Sequence, residues 1–170
     1  VDEETGGAGA KDVVKKGHLA KAILVPEPTR EKIINAEGGL EWVRVTIPGR
    51  SAHAGWRFNE IWPQHHTSDR LVPGVNAIEL STRFLNALKE FERYRCKNKY
   101  HSLSPLGLAT INPGVIRGGV GEGKDGLPII MSNPAMVPDI VTLDLDYKFL
   151  PNEKQADIRK EFEEFVHNFC

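Results

Sequence analysis

Three carboxylates in succession, Asp2-Glu3-Glu4, stand before the glycine pair Gly6-Gly7. Like charges this close repel, and a divalent cation relieves the repulsion, one carboxylate ligating it while the next handles a proton. The alternative is a solvated acidic strand end or helix N-terminus, where the helix dipole favours carboxylates. A further acid, Glu27, lies between Pro26 and Pro28 at the end of the apolar run Ala20 to Val25. The flanking prolines restrict its backbone, either for a ligand or for a turn acid facing solvent. The third reactive group is His53, alone among small residues in Arg50-Ser51-Ala52-His53-Ala54-Gly55, where a backbone or ligand can come close. His65-His66 follow in a long stretch rich in Trp, Pro and His, Trp56 to Gly74; without an acidic or thiolate partner at helical spacing they read as surface groups or contacts near a site mouth.

These groups need elements to hold them. Ala20 to Val25 reads as a short buried strand that delivers Glu27. Glu41 to Gly55 begins with alternating Trp42, Val43, Val45 and Ile47 and runs into Pro48-Gly49, so a strand delivers the His53 loop. Val75 to Tyr94 is an amphipathic helix with Val75, Ile78, Leu85, Leu88 and Phe91 on one face. Its basic continuation, Arg93 to His101, carries Arg93, Arg95, Lys97 and Lys99 beside Tyr94 and Tyr100, and is either a solvated helix end or an RNA-facing patch. Leu106 to Ile116 is a second strand interrupted at Pro113-Gly114, followed by a flexible glycine-rich turn, Arg117 to Asp125, whose spacing fits no phosphate-binding loop. Pro128 to Met131 begins a return. Ile140 to Phe149 is a further strand in which Val141, Leu143, Leu145, Tyr147 and Phe149 alternate with polar residues. A last helix after Pro151 carries the stripe Ile158, Phe162, Phe165, Val166 and Phe169. From Trp42 the order is strand-helix-strand-strand-helix, a ferredoxin-like α+β pattern short of its last strand. One sheet edge is expected to stay open unless another chain or a segment such as Ala20 to Val25 fills it.

DEETGG, a strand ending in EPT, and a strand entering GRSAHAG, followed by Gly74-Val75-Asn76-Ala77-Ile78-Glu79, Arg117-Gly118-Gly119, Asn133 to Pro138 and Asp144 to Pro151, resemble the dizinc amidohydrolase and exopeptidase family of acetylornithine deacetylase and succinyl-diaminopimelate desuccinylase. The resemblance implies Glu3 as the general base, Glu4 and Glu27 as ligands to the two zinc ions, and His53 as a lid histidine. That histidine would donate to the developing oxyanion in a partner subunit's site. It further implies Asn133, Lys148 and Arg117 in substrate binding, and a homodimer made by joining lid sheets edge to edge. Residues 1–38 would be part of an α/β zinc-binding catalytic domain and residues 39–170 the lid and dimerisation domain. Two departures bear on the substrate. Ala135 stands where many relatives have Asn, and Lys148 where they often have Arg, a substitution that loses the bidentate grip on a carboxylate. The His-x-Asp segment, the bridging acid and the late His of the family do not occur in this sequence, so the chain by itself is expected to be catalytically inactive, the substrate of the parent being an N-acyl amino acid or small peptide.

The bulk numbers narrow the field. At 170 residues the chain holds one compact domain plus an appendage, and its 22 Lys and Arg against 23 Asp and Glu leave no net field that would point to nucleic acid or an anionic membrane. No apolar run approaches the roughly 18 to 20 residues of a membrane span. Cys96 and Cys170 fit neither a disulfide framework nor a metal motif, which points to a reducing compartment, the cytoplasm. A start at Val1 directly on a packed motif reads as a piece of a longer chain.

Overall fold

The computed structural model describes residues 6–56, 73–102, 109–130 and 133–170. The chain divides into two compact units, Val1–Asn35 and Ala36–Cys170.

The first unit contains helix α1, Ala8–Lys15, which starts after Gly7 in the left-handed region at φ 63° and carries a Lys16–Asp12 ion pair at 2.7 Å. No residue of α1 is buried. Ala20 to Val25, expected as a buried strand, forms none; Ile23, Leu24 and Val25 are 79%, 91% and 66% exposed. An apolar run becomes a strand only when a neighbour takes its N–H and C=O groups. Glu27 follows in irregular backbone, its carbonyl accepting from Thr29 N at 2.8 Å.

The second unit is a four-stranded antiparallel sheet with two helices packed on one face. Strands β1 (Gly39–Pro48), β2 (Ile111–Glu122), β3 (Pro128–Ile130) and β4 (Ile140–Phe149) lie in the order β1-β4-β2-β3. β1 and β2 run in the same direction with β4 between them, and helix α2 (Ala77–Asn98) makes the crossover; helix α3 (Gln155–Phe169) follows β4. This split βαβ arrangement is the expected α+β pattern. Among the described residues, no strand pairs with the outer edge of β1.

Alternation decides which face is which. Val43, Val45 and Ile47 of β1 and Val141, Leu143, Leu145 and Tyr147 of β4 point toward the helices, where they meet Phe84 and Leu88 of α2 and Ile158 and Phe162 of α3. Each large apolar side chain withdrawn from water here stabilises the fold by roughly 1.5–3 kcal/mol. Phe91 stacks on Phe165 with centroids 4.5 Å apart, tying α2 to α3.

The buried face of α2 differs from the expected one. It is Ala77, Ser81, Phe84, Leu88 and Arg95, whereas Val75 and Ile78 are 36% and 43% exposed. Small residues let the helix approach the sheet closely, and Ser81 Oγ satisfies itself by donating to the Ile78 carbonyl at 2.7 Å. Arg95, expected on a solvated helix end, is fully buried. Its guanidinium donates to both Glu153 oxygens at 3.1 Å and to Glu161, and lies 4.8 Å from the centroid of the Tyr147 ring. Burial pushes the Tyr147 phenol well above its ordinary value.

β2 begins at Ile111, Leu106 to Leu108 of the expected strand lying outside the described residues, and runs further than the sequence predicts, to Glu122, so Arg117 to Gly119 belong to the sheet and only residues 123–127 make the hairpin turn. The glycines there answer to close approach. A Cβ on Gly118 would lie 2.8 Å from the Ile78 side chain, and one on Gly119 would lie 2.3 Å from the Ile130 carbonyl oxygen. The irregularity at Pro113-Gly114 is a bulge in the β2–β4 register, as its breaker residues suggest.

Candidate functional site

His53 sits just past the end of β1, and backbone contacts fasten its loop from two sides. Gly49 N donates to the Asp139 carbonyl at 2.7 Å, and Arg50 and Val75 exchange N–H···O bonds of 2.8 and 2.9 Å. Only glycine fits at position 49, since a Cβ would come within 2.3 Å of the Val75 carbonyl oxygen. On the other side Val137 N donates to the Ala52 carbonyl and Ala54 N to the Ala135 carbonyl, both at 2.8 Å, while His53 bridges Met136. The loop is thus held by the lead-in to α2 and by the lead-in to β4.

The imidazole itself is exposed, and its Nδ1 accepts a hydrogen bond from Gly55 N at 3.1 Å. An Nδ1 that accepts carries no proton, so the neutral ring holds its proton on Nε2. A side chain in that tautomer presents Nε2–H as a donor, the form an oxyanion requires.

Asn133 is part of the same assembly. Its Oδ1 accepts from Ala135 N at 3.0 Å and its carbonyl from Met136 N at 3.3 Å, shaping the turn that meets the His53 loop. Arg117 lies elsewhere, on the sheet face away from the helices. There its NH1 donates to Asp144 Oδ2 at 2.8 Å, while Arg44 grips the same carboxylate through Nε at 2.6 Å and NH2 at 3.1 Å. The two guanidinium groups hold the Asp144 carboxyl at about 2, below its ordinary 3.8. Beside them a shallow groove of about 540 Å³ is lined by Trp42, Gly114, Val115 and Asp146 as well as Arg44 and Asp144.

Lys148 pairs with Asp146 at 3.2 Å. It stands opposite Leu40, near the end of β4 that leads to α3, whereas the His53 loop adjoins Asp139 at the other end. Nine residue steps separate Asp139, just before β4, from Lys148, about 30 Å at strand rise. The structure therefore brings His53 and Asn133 together, and sets Lys148 far from them. Glu27 belongs to the other unit, and Glu3, Glu4, His65 and His66 lie outside the described residues.

Zinc needs about three protein donors per ion. Among the described residues no group of three His, Cys, Asp or Glu side chains comes together to supply them. Among the same residues no helix is long and apolar enough to cross a membrane.

Sequence reading did not single out Arg44, Asp144 or Gly55 as working residues. Arg44 and Asp144 face each other only through the β1–β4 register, which no local pattern states. Gly55 acts through its backbone.

A split βαβ sheet with helices on one face and a fastened histidine loop at one end defines the class, an α+β module. The chain belongs to the M20 peptidase dimerisation domain family, whose description matches residues 63–169. It is also 31% identical over 168 residues to the N-formyl-4-amino-5-aminomethyl-2-methylpyrimidine deformylase of Halalkalibacterium halodurans, an alignment covering 98% of this chain and 35% of that protein. The chain thus spans about a third of the length of this relative.

Proposed function

We propose that residues 39–170 are the lid and dimerisation module, and residues 1–38 a segment of the metal-binding domain, of a protein that hydrolyses an amide bond in a small N-acylated amine. The lid offers His53 to the active site of a partner subunit, where Nε2–H stabilises the tetrahedral oxyanion. The hydrogen bond from Gly55 N to His53 Nδ1 at 3.1 Å carries this reading, since it leaves Nε2 as the proton-bearing nitrogen. Kinship with a deformylase, together with Lys148 in place of the family's arginine, favours a small acyl group and a substrate without an obligatory amino-acid carboxylate. Glu3 as base and Glu4 and Glu27 as zinc ligands belong to the same proposal, in which the chain by itself has no turnover.

Two measurements test it. Sedimentation equilibrium of this chain is expected to give a dimer, through the outer edge of β1 or the hairpin edge; a monomer at high micromolar concentration refutes the dimerisation role. In the polypeptide that carries the whole catalytic domain, His53→Ala is expected to lower kcat on an N-formyl amine about 100-fold or more with little change in KM, the pattern of a lost transition-state donor. An unchanged kcat removes His53 from the mechanism.

A second reading, a ferredoxin-like assembly module without catalysis, is favoured by the position of β1 at an edge of the sheet. It predicts a dimer and no effect of His53 on any hydrolysis.

A further inference from the structure

We propose that Asn133 is a positioning residue for His53, acting through the backbone of Ala135 and Met136 rather than through contact with substrate. The inference rests on the reading of His53 as an Nε2–H donor and extends it to what holds that donor in place.

The Asn133 side chain commits its acceptor, Oδ1, to Ala135 N at 3.0 Å, and the main-chain carbonyl of Asn133 takes Met136 N at 3.3 Å. These two bonds close the turn over residues 133–136. The turn in turn presents the Ala135 carbonyl to Ala54 N at 2.8 Å and sets Met136 opposite His53, while Val137 N takes the Ala52 carbonyl at 2.8 Å. Residues on both sides of His53 are therefore pinned by one short segment. With 52 and 54 fixed, Gly55 N is directed back onto Nδ1, and the tautomer follows. Loss of the Asn133 acceptor frees Ala135 N and loosens the turn, and the restraint on Gly55 relaxes with it.

Position 133 suits this task. An Asn side chain is short enough to reach the amide two residues on, which Gln is not. That difference separates positioning from recognition: a substrate-binding carboxamide would be partly kept by Gln and lost in Asp, whereas a positioning acceptor is kept by Asp and lost in Gln.

The experiment is long-range ¹⁵N–¹H correlation NMR of the histidine side chains in this chain, at about pH 8.5, where an ordinary imidazole is neutral. His53→Gln assigns the His53 signals. Wild type is expected to show a single Nε2–H pattern for His53, retained in Asn133→Asp. In Asn133→Ala and Asn133→Gln that pattern is expected to be replaced by averaged shifts of a mixture of both tautomers. Dispersed amide shifts of β4 report that each variant is folded, and Asn133→Gln serves where Asn133→Ala is not. An unchanged His53 pattern in the folded Ala or Gln variant overturns the proposal, as does an Asp variant as disturbed as the Ala one. A wild-type His53 lacking the Nε2–H pattern overturns the donor reading itself, so the two ideas fail separately and without recourse to catalysis.

Discussion

Replacing Arg95 with Met removes one charge from a fully buried position. The guanidinium is fully buried and makes three hydrogen bonds, two to Glu153 and one to Glu161, over the face of Tyr147. Met fills a similar volume and keeps a favourable contact with the ring, so the loss is mostly electrostatic. The carboxylates of Glu153 and Glu161, 11% and 24% exposed, are left facing each other with Lys99 Nζ at 3.7 and 3.4 Å as their nearby cation. Breaking a buried pair from one side costs about 3–5 kcal/mol. Partial exposure of the acids and the presence of Lys99 place this case near the lower end, about 3 kcal/mol. Glu153 also accepts from Leu150 N at 2.8 Å, so the approach to α3 loosens with it. Urea unfolding followed by far-UV circular dichroism reads the change; with a slope of about 1.5 kcal/mol per molar, the midpoint falls by about 2 M. The triple variant Arg95→Met, Glu153→Gln, Glu161→Gln leaves only the partly exposed Lys99 charge beside the cluster and is expected to regain at least half of the loss. A single variant within about 0.5 kcal/mol of wild type, or a triple variant no better than the single one, would refute the account.

Three further outcomes follow from the same geometry. Because Asp144 is held at about 2 against an ordinary 3.8, its contribution is complete above about pH 4 and disappears as pH falls through about 2. With the side chain 30% exposed it amounts to about 1 kcal/mol after screening, so urea midpoints at about pH 5 and pH 2.5 are expected to differ less in Asp144→Asn than in wild type, and equal differences would count against it. Gly49→Ala forces a Cβ to within 2.3 Å of the Val75 carbonyl oxygen, which should cost roughly 1–3 kcal/mol and displace the amide resonances of residues 50–55; a neutral variant contradicts the close approach. Calorimetric titration with zinc is expected to give no tight, stoichiometric binding to this chain, and tight binding abolished by Glu4→Ala and Glu27→Ala would overturn that expectation.

The elements legible in the sequence are those whose burial is periodic. β4 alternates from Val141 to Phe149 because one of its faces meets helices, and α3 repeats Ile158, Phe162 and Phe165 for the same reason. The His53 loop announces itself as small residues after a strand and a Pro-Gly step. Three features could not be read that way. The inner face of α2 uses Ala77 and Ser81, whose merit is smallness, and Arg95, whose burial depends on two acids 58 and 66 residues away. The glycines of β2 resemble a flexible turn until Ile78 and the Ile130 carbonyl are seen against them. Ala20 to Val25 has the composition of a strand, but a strand is a property of a pair. Of the candidate site, His53 and its loop were visible while its fastenings were not, since hydrogen bonds from the backbone of Ala135 and Val137 leave no mark on residue type.

The carboxylate of Asp144, shared by Arg44 from β1 and Arg117 from β2, bears on how the chain finds its pairing. The apolar alternation of β1 rejects a slip by one residue, which would turn Val43, Val45 and Ile47 outward, but it is blind to a slip by two. A two-residue slip would set Arg44 against Asp146 or Thr142 and leave Asp144 with a single cation. The three charges therefore discriminate among alignments that burial alone would accept, and they do so on the face of the sheet where packing against the helices has no say.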